Sequence, residues 1–150
     1  MKPAVYSRRD FLKKSTAALG VGALVTSSTQ LACNPSTAPE MKAQLTNHRI
    51  MFETAIPELV QIGDGVKLEN NDLEYPILLV KTSESSFVAL STECMHLGCQ
   101  VRMQRSVLRC PCHGSVYDLN GGVLNGPTER PLNSFPVLIH GSQVEILATQ

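Results

Sequence analysis

An all-β fold of small antiparallel sheets is what this sequence predicts for everything beyond its opening segment. Three observations support it. Short apolar and β-branched runs recur from Arg49 onward, separated by turns rich in Gly, Ser and Asn. No segment past the opening sustains a 3.6-residue apolar period over the length of a helix. Aromatics make up 5% of the chain and Trp is absent, which suits a thin-cored β domain. At 150 residues a single domain is expected, and no internal repeat is visible.

The opening segment is different in kind. Residues 1–32 hold five bases (Lys2, Arg8, Arg9, Lys13, Lys14) against one acid, Asp10. Ser7-Arg8-Arg9-Asp10-Phe11-Leu12-Lys13, followed by the small-residue apolar run 17–25, matches a twin-arginine export signal. A membrane-spanning helix needs about 20 apolar residues, whereas Thr26-Ser27-Ser28-Thr29-Gln30 interrupts this run after nine. The remainder of the chain holds eight bases and twelve acids. That mild acidity argues against nucleic acid as a partner, because phosphate binding needs clustered Lys and Arg.

Cys33 follows directly, in Leu31-Ala32-Cys33, ahead of a Pro/Ser/Thr/Ala-rich stretch read as a flexible linker over 33–48. Its position resembles the lipid-acceptor cysteine of bacterial lipoproteins, although Gln30 stands where an aliphatic residue is usual. Cleavage without lipidation, or a leader kept as a weak anchor, are the alternatives.

The strands are expected in order. Glu58-Leu59-Val60-Gln61-Ile62 reads as one. Residues 77–81 and 87–91 flank Ser83-Glu84-Ser85 as a hairpin, and 100–103 with 107–109 form another. Residues 115–118 and 123–124 flank a turn at Asn120-Gly121-Gly122. Residues 137–139 and 144–147 are joined through His140-Gly141-Ser142-Gln143. His48 and His140 belong to no motif and read as surface or turn residues.

Between these strands lie the residues with chemistry. Cys94-Met95-His96-Leu97-Gly98-Cys99 and Cys110-Pro111-Cys112-His113-Gly114-Ser115 place four cysteines and two histidines on two loops. Each loop opens with a Cys, has a His two or three positions later, and carries one further Cys. Two thiolates and two imidazoles are the inventory of a binuclear iron–sulfur centre with sulfur on one iron and nitrogen on the other. Zinc is the rival ligand, but its motifs space ligands by two to four residues, which Cys94-x-His96 fits poorly. A purely structural set of disulfides would leave both histidines without a role.

These residues, with the Tyr117-Asp118 pair that follows, resemble the Rieske iron–sulfur proteins of the disulfide-bearing respiratory and photosynthetic type. The resemblance implies a small antiparallel Rieske-type β fold over 49–150. It would comprise a basal sheet (about 49–92 and 131–150) and an inserted cluster-binding subdomain (about 93–127). It implies a 2Fe–2S cluster with Cys94 and Cys110 on the inner iron and His96 and His113 on the outer. It pairs Cys99 with Cys112 as a disulfide, which the oxidising conditions met by an exported protein allow. Ser115 and Tyr117 match hydroxyls that donate to cluster sulfur, and Gly98 and Gly114 fit tight turns. Pro127, within Gly126-Pro127-Thr128-Glu129-Arg130-Pro131-Leu132, matches a proline-containing cover over the cluster, more polar here at Thr128-Glu129.

The implied activity is one-electron transfer. Neutral ligand charge and donors to sulfur both favour the reduced state, so a potential in the upper part of the Rieske range of roughly −150 to +300 mV is expected. Reduction also raises the pKa of an iron-bound imidazole, which couples a proton to the electron. The resemblance implies cytochrome b and quinol as donor and a c-type cytochrome as acceptor, on the periplasmic side of the cytoplasmic membrane. Export in the folded state suits a cluster assembled in the cytoplasm. The alternatives are the small subunit of a periplasmic molybdenum oxidase of the arsenite oxidase type, or a free-standing exported carrier. The ferredoxin of a ring-hydroxylating oxygenase lacks the two extra cysteines. A zinc-binding module is the non-redox alternative.

Overall fold

The computed structural model describes residues 38–149; residues 1–32, read above as an export leader, and Cys33 lie outside them. Thirteen strands follow in order among the described residues: β1 (Glu40–Lys42), β2 (Leu45–Thr46), β3 (Arg49–Glu53), β4 (Gly65–Glu69), β5 (Ile77–Ser83), β6 (Ser86–Ser91), β7 (Arg102–Gln104), β8 (Val107–Arg109), β9 (Val116–Tyr117), β10 (Val123–Asn125), β11 (Ser134–Phe135), β12 (Val137–His140) and β13 (Gln143–Leu147). The expected all-β class is what forms, and no helix among the described residues is long and apolar enough to cross a membrane. Three sheets result, ordered β1-β4-β5-β6-β11, β12-β13-β3-β2 and β10-β9-β8-β7.

The middle of the molecule is β5. Its run Ile77-Leu78-Leu79-Val80 shows no polar alternation because both of its faces are covered. Ile77 and Leu79 join a basal core with Val66, Leu68, Ala89, Val144 and Ile146. Leu78 and Val80 join a second core with Leu90, Met103, Leu108 and Tyr117, and both inner cysteines, Cys94 and Cys110, sit in it. At about 1.5–3 kcal/mol for each large apolar side chain fully buried, these four residues tie the basal sheets to the half that carries the loops.

Four differences from the sequence reading have physical causes. Residues 58–62 form turns rather than a strand. Asp64 Oδ2 accepts the Gln61 N–H at 2.7 Å, the Asp64 N–H returns to the Gln61 carbonyl, and only Leu59 finds a buried site. Part of the stretch read as flexible linker is strand. β1 pairs with β4 in register Met41↔Leu68, Met41 packs on the basal core, and Lys67 bridges Glu40 and Glu69. That pairing is parallel, whereas the other strand pairs among the described residues are antiparallel. The basal sheet is two sheets around one core rather than a single one. β4, whose Val66 and Leu68 alternate with polar residues into that core, was not read from the sequence.

His48 takes a left-handed turn position beside Asn47 between β2 and β3. His140 is exposed and pairs with the buried Glu145, which also accepts from Arg49 at 2.7 Å.

Candidate metal centre

The two cysteine–histidine loops are built on one main-chain frame. In the first, the Gly98 N–H donates to the Cys94 carbonyl and the Cys94 N–H to the Cys99 carbonyl, both at 2.9 Å. In the second, Gly114 donates to Cys110 at 3.1 Å and Cys110 to Ser115 at 2.8 Å. Each frame turns back through its fifth residue, and that residue is glycine at φ +73° (Gly98) or +80° (Gly114), a conformation that a β-carbon disfavours. The second loop closes the β8–β9 ladder directly, whereas the first is flanked only by the isolated bridge Glu93↔Gln100.

Side chains sort by depth. Cys94 and Cys110 are free thiols, each 1% exposed, at the bottom of the loops. Above them His96 is half-buried and His113 exposed, with ring centroids 4.8 Å apart and planes at 80°. Cys99 and Cys112 form the expected disulfide across the two loops, with Cα atoms 6.5 Å apart. Cys99, Cys110 and Cys112 sulfurs crowd together, but two of the three are consumed by that bond, which leaves Cys110 beside a staple. The structure thus brings together all six Cys and His residues singled out in the two loops.

Tyr117, on β9, is buried under the first loop. Its hydroxyl accepts the Met95 N–H at 3.2 Å, so its own proton is free to donate to Cys94 Sγ at 3.3 Å. Burial would raise the Cys94 thiol pKa. The Tyr117 hydroxyl first, then the His96 main chain and the Cys110 side chain, outweigh it, and the thiol lies below its usual value. Cys110 moves the other way, raised first by burial and also by its hydrogen bond to, and charge interaction with, Cys94, against the pull of the Cys112 and His113 main chain. Tyr117 is pushed up to about 12, first by burial and then by its bond to Cys94. Cys94 is thus the readier of the two to ionise, and a metal bound by both sulfurs would displace their protons.

The proline-containing segment lies against the first loop. Gly126-Pro127 is a cis peptide and Pro127 is exposed. Thr128 is buried and exchanges hydrogen bonds with the main chain of Arg130, while Glu129 points to solvent. Arg130 Nη2 donates to the Met95 carbonyl at 3.2 Å. The tie through Arg130, the Met95 N–H and the Tyr75 hydroxyl facing Gly98 were absent from the sequence reading, and no local pattern signals them.

The donor set can be tested against a two-iron group. Two buried polar atoms here have no hydrogen-bond partner, His96 Nδ1 and Ser115 Oγ. Such orphans are costly unless something in the site engages them. An enclosed imidazole nitrogen, two buried free thiols and a buried unpartnered hydroxyl on the two loops are a donor set that fits a group of two irons and two sulfides. A Rieske [2Fe-2S] domain model matches residues 54–136, more than half of the chain. The chain belongs to the Rieske iron–sulfur family. Its cofactor is a Rieske-type 2Fe–2S cluster and its activity electron transfer.

This Rieske protein is 30% identical over 150 residues to the cytochrome b6-f complex iron-sulfur subunit of Chlorobaculum tepidum, covering 97% of this chain and 78% of that one. The cyanobacterial plasma membrane Rieske protein of Synechocystis is 30% identical, covering 53% of this chain and 84% of its own (TM-score 0.48). A quaternary ammonium Rieske monooxygenase shares the fold at 19% identity and TM-score 0.51, over 61% of this chain and 29% of that one.

Proposed function

We propose that this chain is the iron–sulfur subunit of a quinol-oxidising complex built on cytochrome b, with a c-type cytochrome as electron acceptor. The observation that carries the reading is its likeness, over nearly its whole length, to the Chlorobaculum cytochrome b6-f subunit. Cys94 and Cys110 would hold one iron as thiolates, and His96 and His113 the other. Once bound, the cluster supplies a store for one electron. The chain's residues do the rest. Tyr117 donates to Cys94 Sγ, and the unpartnered Ser115 hydroxyl would be available to cluster sulfur, both of which favour the reduced form. His96 turns its enclosed Nδ1 inward, and His113 stands at the exposed edge, where an imidazole nitrogen can take the hydrogen bond and then the proton of a quinol hydroxyl. The disulfide and the proline segment keep water from the thiols below. Residues 1–32 serve as the twin-arginine leader, and Cys33 tethers the mature protein to the periplasmic face of the membrane.

The test is quinol:cytochrome c reductase activity in membranes whose only copy of this chain carries His113→Ala. Loss of that turnover, together with the reduced-state paramagnetic signal, is expected. Undiminished turnover would sink the assignment to a quinol-oxidising complex and leave the molybdenum oxidase or free-carrier roles. Mass spectrometry of the mature N-terminus reads Cys33 separately, and an unmodified thiol there ends the tether.

A further inference from the structure

The outer face of the cluster-bearing sheet carries an arrangement that the electron-transfer site does not use. Arg102 on β7 and Arg109 on β8 stand directly opposite one another in the ladder, and both are exposed. Their neighbours Met103 and Leu108 turn the other way into the core, so the two guanidinium groups share the solvent face with Gln104 and Val107. Like charges placed across a strand pair weaken it. Among the described residues, none of the ion pairs or side-chain hydrogen bonds engages either guanidinium group. Glu40, the carboxylate that shares a cleft with Arg102, is already held by Lys67. A destabilising pair thus sits unrelieved on the strands that lead into the site: Arg109 immediately precedes Cys110, and Arg102 follows Cys99 by three residues.

Charge elsewhere sharpens the contrast. Residues 93–127 hold three bases, all arginine, and two acids. The rest of the body, 33–92 and 128–150, holds five bases and ten acids. A molecule so divided is turned by the field of an acidic partner until its arginine face leads. An extended anionic membrane would meet repulsion from the larger acidic part, so a protein surface is the better fit. Paired guanidinium groups suit carboxylates in particular, since each planar fork can take one bidentately. We propose that Arg102 and Arg109 form a docking point for a carboxylate-bearing face of a redox partner protein. This rests on the electron-transfer reading and adds the chemistry of the partner to it.

A gold electrode coated with a carboxylate-terminated monolayer stands in for such a face, with full-length cluster-loaded protein as the sample. Arg102→Gln and Arg109→Gln should each lower the interfacial electron-transfer rate roughly five-fold, and the double variant should desorb at lower salt. Arg→Lys replacements at both sites, which keep the charge, should fall between. Lys42→Gln, an exposed charge change on β1, should behave as wild type, and a hydroxyl-terminated monolayer should not distinguish any of them. Reduced-state paramagnetic spectra of every variant keep the two ideas apart: absence of the signal in wild type would remove the electron-transfer reading itself. With signals intact, a double variant as fast as wild type overturns the docking point. So does an equal loss in Lys42→Gln, which would report net charge alone. Wild-type rates combined with lost co-sedimentation on phosphatidylglycerol vesicles would overturn it in favour of a lipid surface.

Discussion

Loops 94–99 and 110–115 share two closing main-chain hydrogen bonds and a left-handed glycine at the same place, yet they are held by different means. The second is the end of a β-hairpin: β8 enters it, β9 leaves it, and the ladder continues to both sides. The first has only the Glu93↔Gln100 bridge and is secured from outside, by the disulfide to Cys112, by Tyr117 beneath it and by Arg130 on its Met95 carbonyl. The frame is therefore local, but the geometry of the complete site depends on tertiary ties gathered on one loop. Those ties predict an asymmetry: changes that release the first loop should matter more than matching changes in the second.

The largest effect is expected from Cys99→Ser with Cys112→Ser. Closing a loop of 13 residues is worth about 3 kcal/mol, and here the bond also joins the two ligand loops. Melting should fall accordingly, with amide exchange rising first at 95–99. Equal exchange in both loops would erase the asymmetry. Next is Tyr117→Phe against Ser115→Ala. The former strands the Met95 N–H and removes a donor to Cys94, so metal-free stability should fall by about 1–3 kcal/mol and the potential should drop. Ser115 Oγ has no partner in the chain alone. Ser115→Ala should therefore lower the potential, read by protein-film voltammetry, while leaving metal-free melting almost unchanged.

Gly98→Ala against Gly114→Ala compares the frames themselves. Both place a side chain at positive φ, at a cost of about 1 kcal/mol. At Gly98 the new carbon also meets the Tyr75 hydroxyl at 3.0 Å, whereas at Gly114 it meets nothing within 4 Å. Gly98→Ala should be the more damaging by chemical denaturation, and the reverse order would show that the second loop is the tighter one.

The smallest effect lies away from both loops, at Lys67. Burial lowers its pKa, but hydrogen bonds to Glu40 and Glu69 outweigh that and hold it above the ordinary 10.5. A raised pKa means that the stabilisation is present below 10.5 and is lost as pH climbs through the higher folded value. Lys67→Met should thus lower melting at pH 8 by about 1 kcal/mol or less, with the gap to wild type closing at strongly alkaline pH. A gap that persists there would assign the loss to packing of the lysine stem instead.

How legible was all this in the chain? Ligand-type residues, turn glycines and the strands around 77–91 and 137–147 could be read directly, because spacing, period and turn chemistry are properties of neighbours in sequence. Residues 58–62 misled, since an apolar run says nothing of a competing Asp64 that captures its main chain. β1 hid in a stretch of linker-like composition because its partner, β4, lies some two dozen residues on and supplies both the ladder and Lys67.

The residue order by itself determined which chemistry is available: two thiols, two imidazoles, two spare cysteines and the glycines that let each loop turn. Only the tertiary structure decided how those groups are shared, burying Cys94 and Cys110 while leaving His113 at the edge and bringing Arg130, Tyr75 and Tyr117 onto one loop. Covalent spacing limits what a short segment can reach. Depth and long-range contacts arise when separate strands close around a common core.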